Sequence, residues 1–334
     1  MVVGYGPPAW WNESWVYRKR IDISNPGGSD LTDFQVSFTL DTTDTSKFQS
    51  NCEDLRITGV DGNLLPFWIE ENNPGCGNAS TKVWVKLPSI PSSGTYIYAY
   101  YGNPSASMSS DHDGERVFVM FDDFSADNDS WSDYAGSSSI GSGLLTFSPD
   151  TSSNWNHTTT TQQDQLTSVN SYVVEHRYRS NPSAGGTVFR YSDQSNWWGI
   201  EMYNNNIIIR GMVAGTDTTK TNPSYTFTPG QYFILSSKYN ATDHSFTVSV
   251  NGSQVVSATM TGAQQLATNN AVGVVDHSNF GPSPTGNLMR ARAPLPMTQV
   301  LVRKTVRSPD HLNGDQKQNA LVANVCFLMV PTWM

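Results

Sequence analysis

The chain has 334 residues, which is long enough for two domains that each bury a core. Its formal net charge of −9 argues against the basic surface that binding to nucleic acid or to an anionic membrane requires. No stretch reaches the roughly 18 apolar residues of a membrane-spanning helix, so we expect no direct membrane insertion. The low charge content of 15%, with Ser, Thr and Asn at the polar positions, is typical of a secreted or virion β-protein.

Short runs in which apolar and polar residues alternate predict strands in the first hundred residues, because successive side chains of a strand point to opposite faces. Turn residues separate these runs, as at Asp61-Gly62-Asn63. The predicted strands cover residues 17–23, 34–40, 55–57, 65–69, 83–87 and 96–101. They indicate a small β-sandwich over residues 15–106, preceded by a Gly/Pro/Trp-rich lead-in at residues 1–14.

A break in the pattern predicts a domain boundary after this sandwich. Gly102-Asn103-Pro104 cannot continue a strand, because proline donates no hydrogen bond to a sheet ladder. The polar residues 107–116 then form a linker, and the apolar residues 117–121 open a second domain.

The second domain, residues 117–310, again shows alternation without the apolar spacing of an amphipathic helix. Its best predicted strands cover residues 172–178, 187–191, 197–203, 207–211, 232–239, 246–250 and 255–260, while residues 272–275 and 300–304 close its sheets. Asn205-Asn206 and Asn251-Gly252 are predicted hairpin turns. The predicted fold is therefore all-β, with two β-sandwich (jelly-roll-like) domains in tandem.

Residues 311–334 form a C-terminal tail that matches neither domain. Its apolar run at residues 325–330 is either an exposed strand that pairs with another chain, or part of a disordered or locally docked tail.

Five motifs of the first domain match those of a known family in order and spacing. They are Trp15-Val16-Tyr17-Arg18-Lys19, Cys52-Glu53-Asp54-Leu55-Arg56, Phe67-Trp68-Ile69-Glu70, Val83-Trp84-Val85-Lys86 and Tyr100-Tyr101-Gly102-Asn103-Pro104. Over residues 10–106 the chain thereby resembles domain-of-unknown-function family 2341. The resemblance implies an extracellular or surface β-domain without an assigned reaction. It also implies a following concanavalin-like (laminin-G-like) sandwich, whose opening motif is similar to Phe121-Asp122-Asp123-Phe124.

The same resemblance predicts how two of the three cysteines pair. Cys52 and Cys76 flank a loop of the first domain and are expected to form a disulfide, in line with the family, the alternative being two buried free thiols. Cys326 lies in the tail and is either free or intermolecular.

Several features favour an extracellular, cell-surface or virion location. Residues 1–8 lack the basic region and apolar core of a signal peptide, so either the signal was trimmed or the protein leaves its cell by another route, such as virion assembly. In a secreted chain six sequons are candidate glycosylation sites. Their asparagines are Asn12, Asn78, Asn128, Asn156, Asn240 and Asn251.

Catalytic constellations are poorly supported by the sequence. The chain contains no G-x-S-x-G elbow, and its six histidines lack metal-ligand spacing. Glycoside hydrolysis needs two carboxylates across one bond, but Glu175 and Glu201 of the second domain lie on separate predicted strands. We therefore predict no enzymatic activity, with a glycoside hydrolase as the weaker alternative.

Glycan binding needs an aromatic platform and a few polar groups. Trp197 and Trp198 point to opposite faces of one predicted strand, so one ring is expected in the core, and Trp197 is predicted to be exposed beside polar partners. The alternative is that both rings pack inside the sandwich. The predicted binding residues are Trp197, Tyr203, Arg190, Arg210 and Glu201.

A calcium site is the one cofactor site that the resemblance suggests. In related sandwiches an acid of the opening strand and an acid before the closing strand share the cation through oxygen ligands. Asp122 and Asp123 supply the first half, but Thr298-Gln299 occupies the second position, where Asp276 is a candidate substitute. The alternative role of Asp122 and Asp123 is capping or hydrogen bonding.

Two functions follow from these features. The first is a non-catalytic recognition protein for adhesion or attachment, which binds a polysaccharide or glycoprotein through the second sandwich. The second is a structural subunit of a virion, filament or surface layer, with self-assembly through the tail and through the Trp10-Trp11 lead-in.

Overall fold

In a computed structural model, the chain forms two units that divide after Val117. The second unit runs from Phe118 to Pro294, and the first contains the preceding residues together with a late strand. The structure describes residues 10–305 except for the ranges 71–74, 126–130, 135–136, 142, 149–155, 161–170, 180–185, 204, 229–230, 267–270, 277–283 and 293–301.

The regular structure is almost entirely strand, as predicted from the alternating sequence pattern. The first elements are β1 (Tyr17–Ile23), β2 (Leu31–Leu40), β3 (Arg56–Thr58), β4 (Phe67–Ile69), β5 (Thr81–Ile90), β6 (Thr95–Tyr101) and a single helical turn, α1 (Gly114–Val117). They are followed by β7 (Met120–Asp122), β8 (Trp131–Tyr134), β9 (Ser137–Gly141), β10 (Leu144–Ser148), β11 (Asn156–Thr160), β12 (Tyr172–Arg179), β13 (Gly186–Asp193) and β14 (Asn196–Tyr203). The remaining elements are β15 (Asn206–Val213), β16 (Thr216–Thr221), β17 (Tyr232–Asn240), β18 (Ser245–Val250), β19 (Ser253–Thr259), a 3-10 turn (Gly262–Gln265), β20 (Ala271–Asp276), β21 (Pro284–Arg292) and β22 (Val302–Thr305).

The first unit contains two antiparallel sheets, with strand orders β22-β1-β6-β3 and β2-β5-β4. On β1 and β6 the apolar residues Ile21, Ile23 and Ile97 are at most 2% exposed, which places one face of this sheet in the core. We predicted that residues 300–304 close the second domain, but β22 pairs with β1 of the first unit, from Ile23 opposite Val302 to Arg20 opposite Thr305. The edge of β1 that faces away from β6 carries backbone N–H and C=O groups that need hydrogen-bond partners, and the backbone of β22 supplies those partners.

The second unit is a β-sandwich. One sheet has the order β16-β15-β14-β13-β20-β11-β8, and the other has the order β19-β18-β17-β12-β21-β10-β9, with β7 paired to β21. Trp198 and Ile200 of the first sheet meet Leu235 and Phe246 of the second in one buried cluster. The all-β prediction with β-sandwich architecture is confirmed.

One predicted hairpin turn is confirmed, and the other is shifted. The first was predicted at Asn205-Asn206, but Asn206 is the first residue of β15 and pairs with Tyr203, so Asn205, with a φ of 57°, lies just before that strand. Asn251-Gly252 joins β18 to β19 with φ values of 48° and 81°, the left-handed pair that a two-residue hairpin turn requires. Among the described residues, no helix has the length and apolar content to cross a bilayer. Residues 311–334, with Cys326, lie outside the described part of the chain.

Candidate functional site

The outer face of the seven-stranded sheet, directed away from the sandwich core, carries the candidate site. Ile200 and Met202 of β14 belong to the core cluster, so the alternating residues Trp197 and Glu201 lie on the opposite face. Trp197 forms a separate buried cluster with Val188 of β13. The predicted division of the faces of β14 is therefore correct.

The prediction that Trp197 is exposed is wrong, because its side chain is only 2% exposed. Its indole leans along the strand over Gly199, where a Cβ atom would lie 2.9 Å from the ring atom Cζ3. The ring packs on Val188, and its Nε1 donates a hydrogen bond to the Gln194 carbonyl at 3.2 Å. Trp197 thus forms an enclosed wall of the site and not an open platform.

Glu201 is enclosed beside this indole, at 2% exposure. Its Oε1 lies 3.2 Å from where a Cβ of Gly199 would stand, so the carboxyl and the ring converge over the same glycine. Neither carboxyl oxygen has a hydrogen-bond partner within the described residues. Burial raises the pKa of Glu201 to about 8, and the nearby charge of Arg210 opposes that rise.

Arg210 lies at the edge of this site, opposite Gly199 in the register of β14 and β15. Its Nη2 donates to Asp217 Oδ2 of β16 at 3.0 Å, and the two side chains are 20% and 57% exposed. Gly199 and Asp217 were not predicted as site residues. Their identification requires the pairing register of β14 to β16, which cannot be read from the sequence.

Arg190 does not frame Trp197, which corrects the prediction. The pairing of β13 is irregular between Phe189 and Asp193, and Arg190 has a φ of 52° there. This irregularity turns the side chain toward the core side, where its guanidinium donates to the Leu266 carbonyl at 2.7 Å and lies 4.8 Å from the Tyr239 ring. At 3% exposure Arg190 stabilises the sandwich interior.

Tyr203 is the last residue of β14 and is paired with Asn206. Its side chain lies outside the described part of the structure, so its role in ligand binding stays a prediction.

The predicted calcium residues both bind backbone amides after β7. Asp122 is 8% exposed, and its two oxygens accept hydrogen bonds from Phe124 N at 2.7 Å and from Trp131 Nε1 at 2.6 Å. Asp123 is exposed and accepts one from Ser125 N at 2.9 Å. The described residues contain no cluster of three or more acidic, His or Cys side chains, and the side chain of Asp276 lies outside them. Calcium binding stays a prediction.

The cysteine prediction is confirmed in the first unit. Cys52 and Cys76 form a disulfide with their Cα atoms 5.9 Å apart. This pairing excludes the alternative of two free thiols.

The sequon asparagines differ in accessibility. Three have exposed side chains, namely Asn12, Asn78 and Asn251. Asn240 is half-buried, whereas Asn128 and the side chain of Asn156 lie outside the described residues.

The two glutamates considered for hydrolysis lie on opposite sides of the sandwich. Glu175 of β12 alternates with the core-facing Val174 and the buried His176, so it faces outward from the other sheet. Glu201 faces outward from the seven-stranded sheet, and the two carboxyls therefore cannot flank one glycosidic bond.

Comparisons with known proteins add a family match and a set of distant folds. The family model described as "Domain of unknown function (DUF2341)" matches residues 51–134, which extend past the division at Val117 into the second unit. A search of curated proteins found no significant match.

Three solved structures illustrate the similarity in fold. The carbohydrate binding module CBM66 from Bacillus subtilis is 9% identical, with a TM-score of 0.39 over 49% of this chain and 96% of that one. An endo-1,3-beta-glucanase from Streptomyces sioyaensis is 15% identical, with a TM-score of 0.36 over 53% and 96%. A galectin from Caenorhabditis elegans is 7% identical, with a TM-score of 0.28 over 37% and 83%.

Proposed function

We propose that this is a non-catalytic recognition protein, which binds a polysaccharide or glycoprotein through the outer face of the seven-stranded sheet. The observation that carries the proposal is the enclosed Glu201 carboxyl, whose two oxygens lack hydrogen-bond partners within the described residues. A buried polar group without partners is costly, and the hydroxyl groups of a bound sugar supply the missing hydrogen bonds.

The surroundings of Glu201 suit a neutral polyhydroxylated ligand. Trp197 is enclosed beside it, and the half-buried Tyr191 and Met212 pack on the same cluster and offer apolar surface to a sugar ring. The raised pKa, about 8, leaves the carboxyl of Glu201 protonated at neutral pH, so it both donates and accepts hydrogen bonds. A neutral carboxyl favours hydroxyl groups over a cationic ligand.

We assign the second unit to the concanavalin-like, laminin-G-like sandwiches on the strength of its Phe121-Asp122-Asp123-Phe124 motif. An extracellular, cell-surface or virion setting is consistent with the Cys52–Cys76 disulfide, because such bonds persist in oxidising compartments.

The test is glycan binding by the whole protein, measured on a glycan array and then by calorimetry with the best ligand, with and without calcium. Glu201→Leu removes both carboxyl oxygens at a similar side-chain size, and we expect it to weaken binding at least about tenfold, because the sugar hydroxyls lose their hydrogen-bond partners. Glu175→Leu is the matched control on the outer face of the other sheet and should bind like the parent. Equal binding by Glu201→Leu and the parent, or an array without any bound glycan, would refute the proposal.

The structural-subunit alternative depends on residues 311–334, which lie outside the described residues, and on Trp10 and Trp11, which are half-buried against Trp15 and Tyr100; it stays a prediction. Its measurement is the particle mass by light scattering, for the whole chain and for a chain that ends at residue 310.

A further inference from the structure

A second surface, on the first unit, combines aromatic rings with arginines on the outer side of the β1–β6 sheet. The core side of these strands is formed by Ile21, Ile97 and Ala99, each at most 2% exposed. The alternating residues therefore point outward. This aromatic–arginine face consists of Trp10, Trp11, Arg18, Arg20, Tyr96 and Tyr98.

The face is built on Tyr100, which is 1% exposed. Its hydroxyl accepts hydrogen bonds from Trp11 N and from Arg18 Nη1, both at 3.2 Å. The Trp10 ring stands edge-on to the Tyr100 ring at 5.3 Å, and its Nε1 donates to the Trp15 carbonyl at 2.8 Å. These contacts hold Trp10 and Trp11 against the sheet.

Each arginine of the face is stacked on a ring. The guanidinium of Arg18 lies between the Trp10 ring at 4.7 Å and the Tyr98 ring at 4.6 Å. Arg20 lies 4.0 Å from the Tyr96 ring and binds Asp22 at 2.7 Å, with 46% of its side chain exposed. Asp22 Oδ1 accepts from both Nε and Nη2 of Arg20, each at 2.7 Å. Stacking leaves both guanidiniums with little rotamer freedom to lose when they bind a planar anion.

This face has a positive formal charge, whereas the whole chain is negatively charged. In the sequences of β1 and β6, Asp22 is the one carboxylate on the outer side, against two arginines, whereas the whole chain carries a net charge of −9. A locally positive, aromatic surface complements an anionic partner with flat apolar faces.

The geometry points to an acidic polysaccharide as the ligand of the aromatic–arginine face, with sugar rings on the half-exposed Trp10, Trp11 and Tyr96 and uronate carboxylates on Arg18 and Arg20. Two guanidinium groups can pair with two carboxylates of a polysaccharide that carries one carboxylate per sugar. Duplex DNA carries one charge per about 1.7 Å, and its binding needs a far more basic surface. The face lies on a different unit from Glu201 and requires different chemistry, so it adds to the function proposed above.

The test uses the whole protein and polygalacturonate, by affinity electrophoresis and calorimetry. We expect retardation that weakens with added salt and is lost when the polymer is fully methyl-esterified, because esterification removes the charge and keeps the rings. Arg20→Gln should weaken binding about tenfold, because it removes one of the two cations of the face and a charge-assisted hydrogen bond to the polymer. Arg116→Gln is the matched control, since Arg116 also pairs with an aspartate at 2.7 Å and has 48% of its side chain exposed.

Two further variants separate ring contacts from folding and from the site on the second unit. Trp10→Ala should reduce binding, while Trp10→Phe should retain most of it. If Trp10→Ala does not fold, the result for Arg20→Gln tests the inference by itself, because the exposed side chain of Arg20 is not needed for folding. Glu201→Leu, which removes the carboxyl of the other site, should bind polygalacturonate like the parent. The inference is overturned if polygalacturonate is not bound, if the esterified polymer is bound equally well, if Arg20→Gln binds like the parent, or if single-stranded oligothymidylate is bound more tightly.

Discussion

Replacing Glu201 by glutamine should make the protein more stable at high pH, and the effect follows from one enclosed carboxyl. Burial raises the pKa of Glu201 from its ordinary value of 4.5 to about 8. The folded state therefore holds a proton that the unfolded chain releases, and stability is lost as pH rises through this interval, about tenfold in the folding equilibrium for each pH unit. Above about pH 8 the accumulated loss approaches about 5 kcal/mol in the parent.

Glutamine has the shape of the protonated carboxyl and does not titrate. We expect the free energies of unfolding of Glu201→Gln and the parent to agree within about 1 kcal/mol near about pH 5, and the variant to be more stable by about 4–5 kcal/mol near about pH 9. Taking the difference between the two proteins removes every other titrating group, because both share those groups. The measurement is urea-induced unfolding, followed through tryptophan fluorescence across this pH range.

Glu175→Gln provides the control, because its carboxyl faces outward from the other sheet and is half-buried. It should not acquire the same dependence on pH. A difference between Glu201→Gln and the parent that stays constant with pH would refute the reasoning. It would show that the carboxyl is solvated in the free protein, and no hydrogen bonds would then be missing for a ligand to supply.

Three other outcomes follow from the structure. Burial lowers the pKa of His176 to about 3, so the free energy of unfolding, which is at its full value above about pH 6.5, falls by up to about 5 kcal/mol as pH decreases. His176→Leu should remove this decrease when unfolding at about pH 7 and at about pH 4 is compared. Replacing Cys52 and Cys76 by alanine opens a loop with a sequence separation of 24, and should lower the free energy of unfolding of the first unit by about 3 kcal/mol in urea. Gly199→Ala places a Cβ 2.9 Å from the indole, and should cost about 1–3 kcal/mol and weaken glycan binding, whereas Gly141→Ala, with nothing within 4 Å, should change stability by less than about 1 kcal/mol.

The sequence predicts which face a strand residue occupies better than it predicts what covers that face. Trp197 and Trp198 lie on opposite faces because alternation is a property of the extended backbone itself. Trp197 is nevertheless buried, because Val188 of another strand and the half-buried Met212 pack against it. These neighbours are set by strand order and register, which a local pattern does not contain.

Irregular pairing limits prediction in a second way. Arg190 lies in a run that alternates like a regular strand, but the irregularity between Phe189 and Asp193 reverses the side to which its side chain points. A positive φ at an arginine has no marker in the sequence, unlike the positive φ of Asn251, which the Asn-Gly pair indicates. The late strand Val302–Thr305 shows the same limit for pairing, since its composition predicts a strand while the open edge of Tyr17–Ile23 decides its partner.

The aromatic–arginine face became visible only when register was known. Tyr96, Tyr98 and Tyr100 alternate in the sequence, and tyrosine is found on both core and outer faces of sheets. The antiparallel register settles the assignment, because it places Arg18 opposite Tyr100 and Arg20 opposite Tyr98, on the side away from Ile97. Arginines that stack on rings outside a core are not needed to fill that core. The same reasoning applies to Glu201 on the second unit: its carboxyl is enclosed on a face directed away from the core and has no hydrogen-bond partner within the described residues, which is why we propose a ligand there.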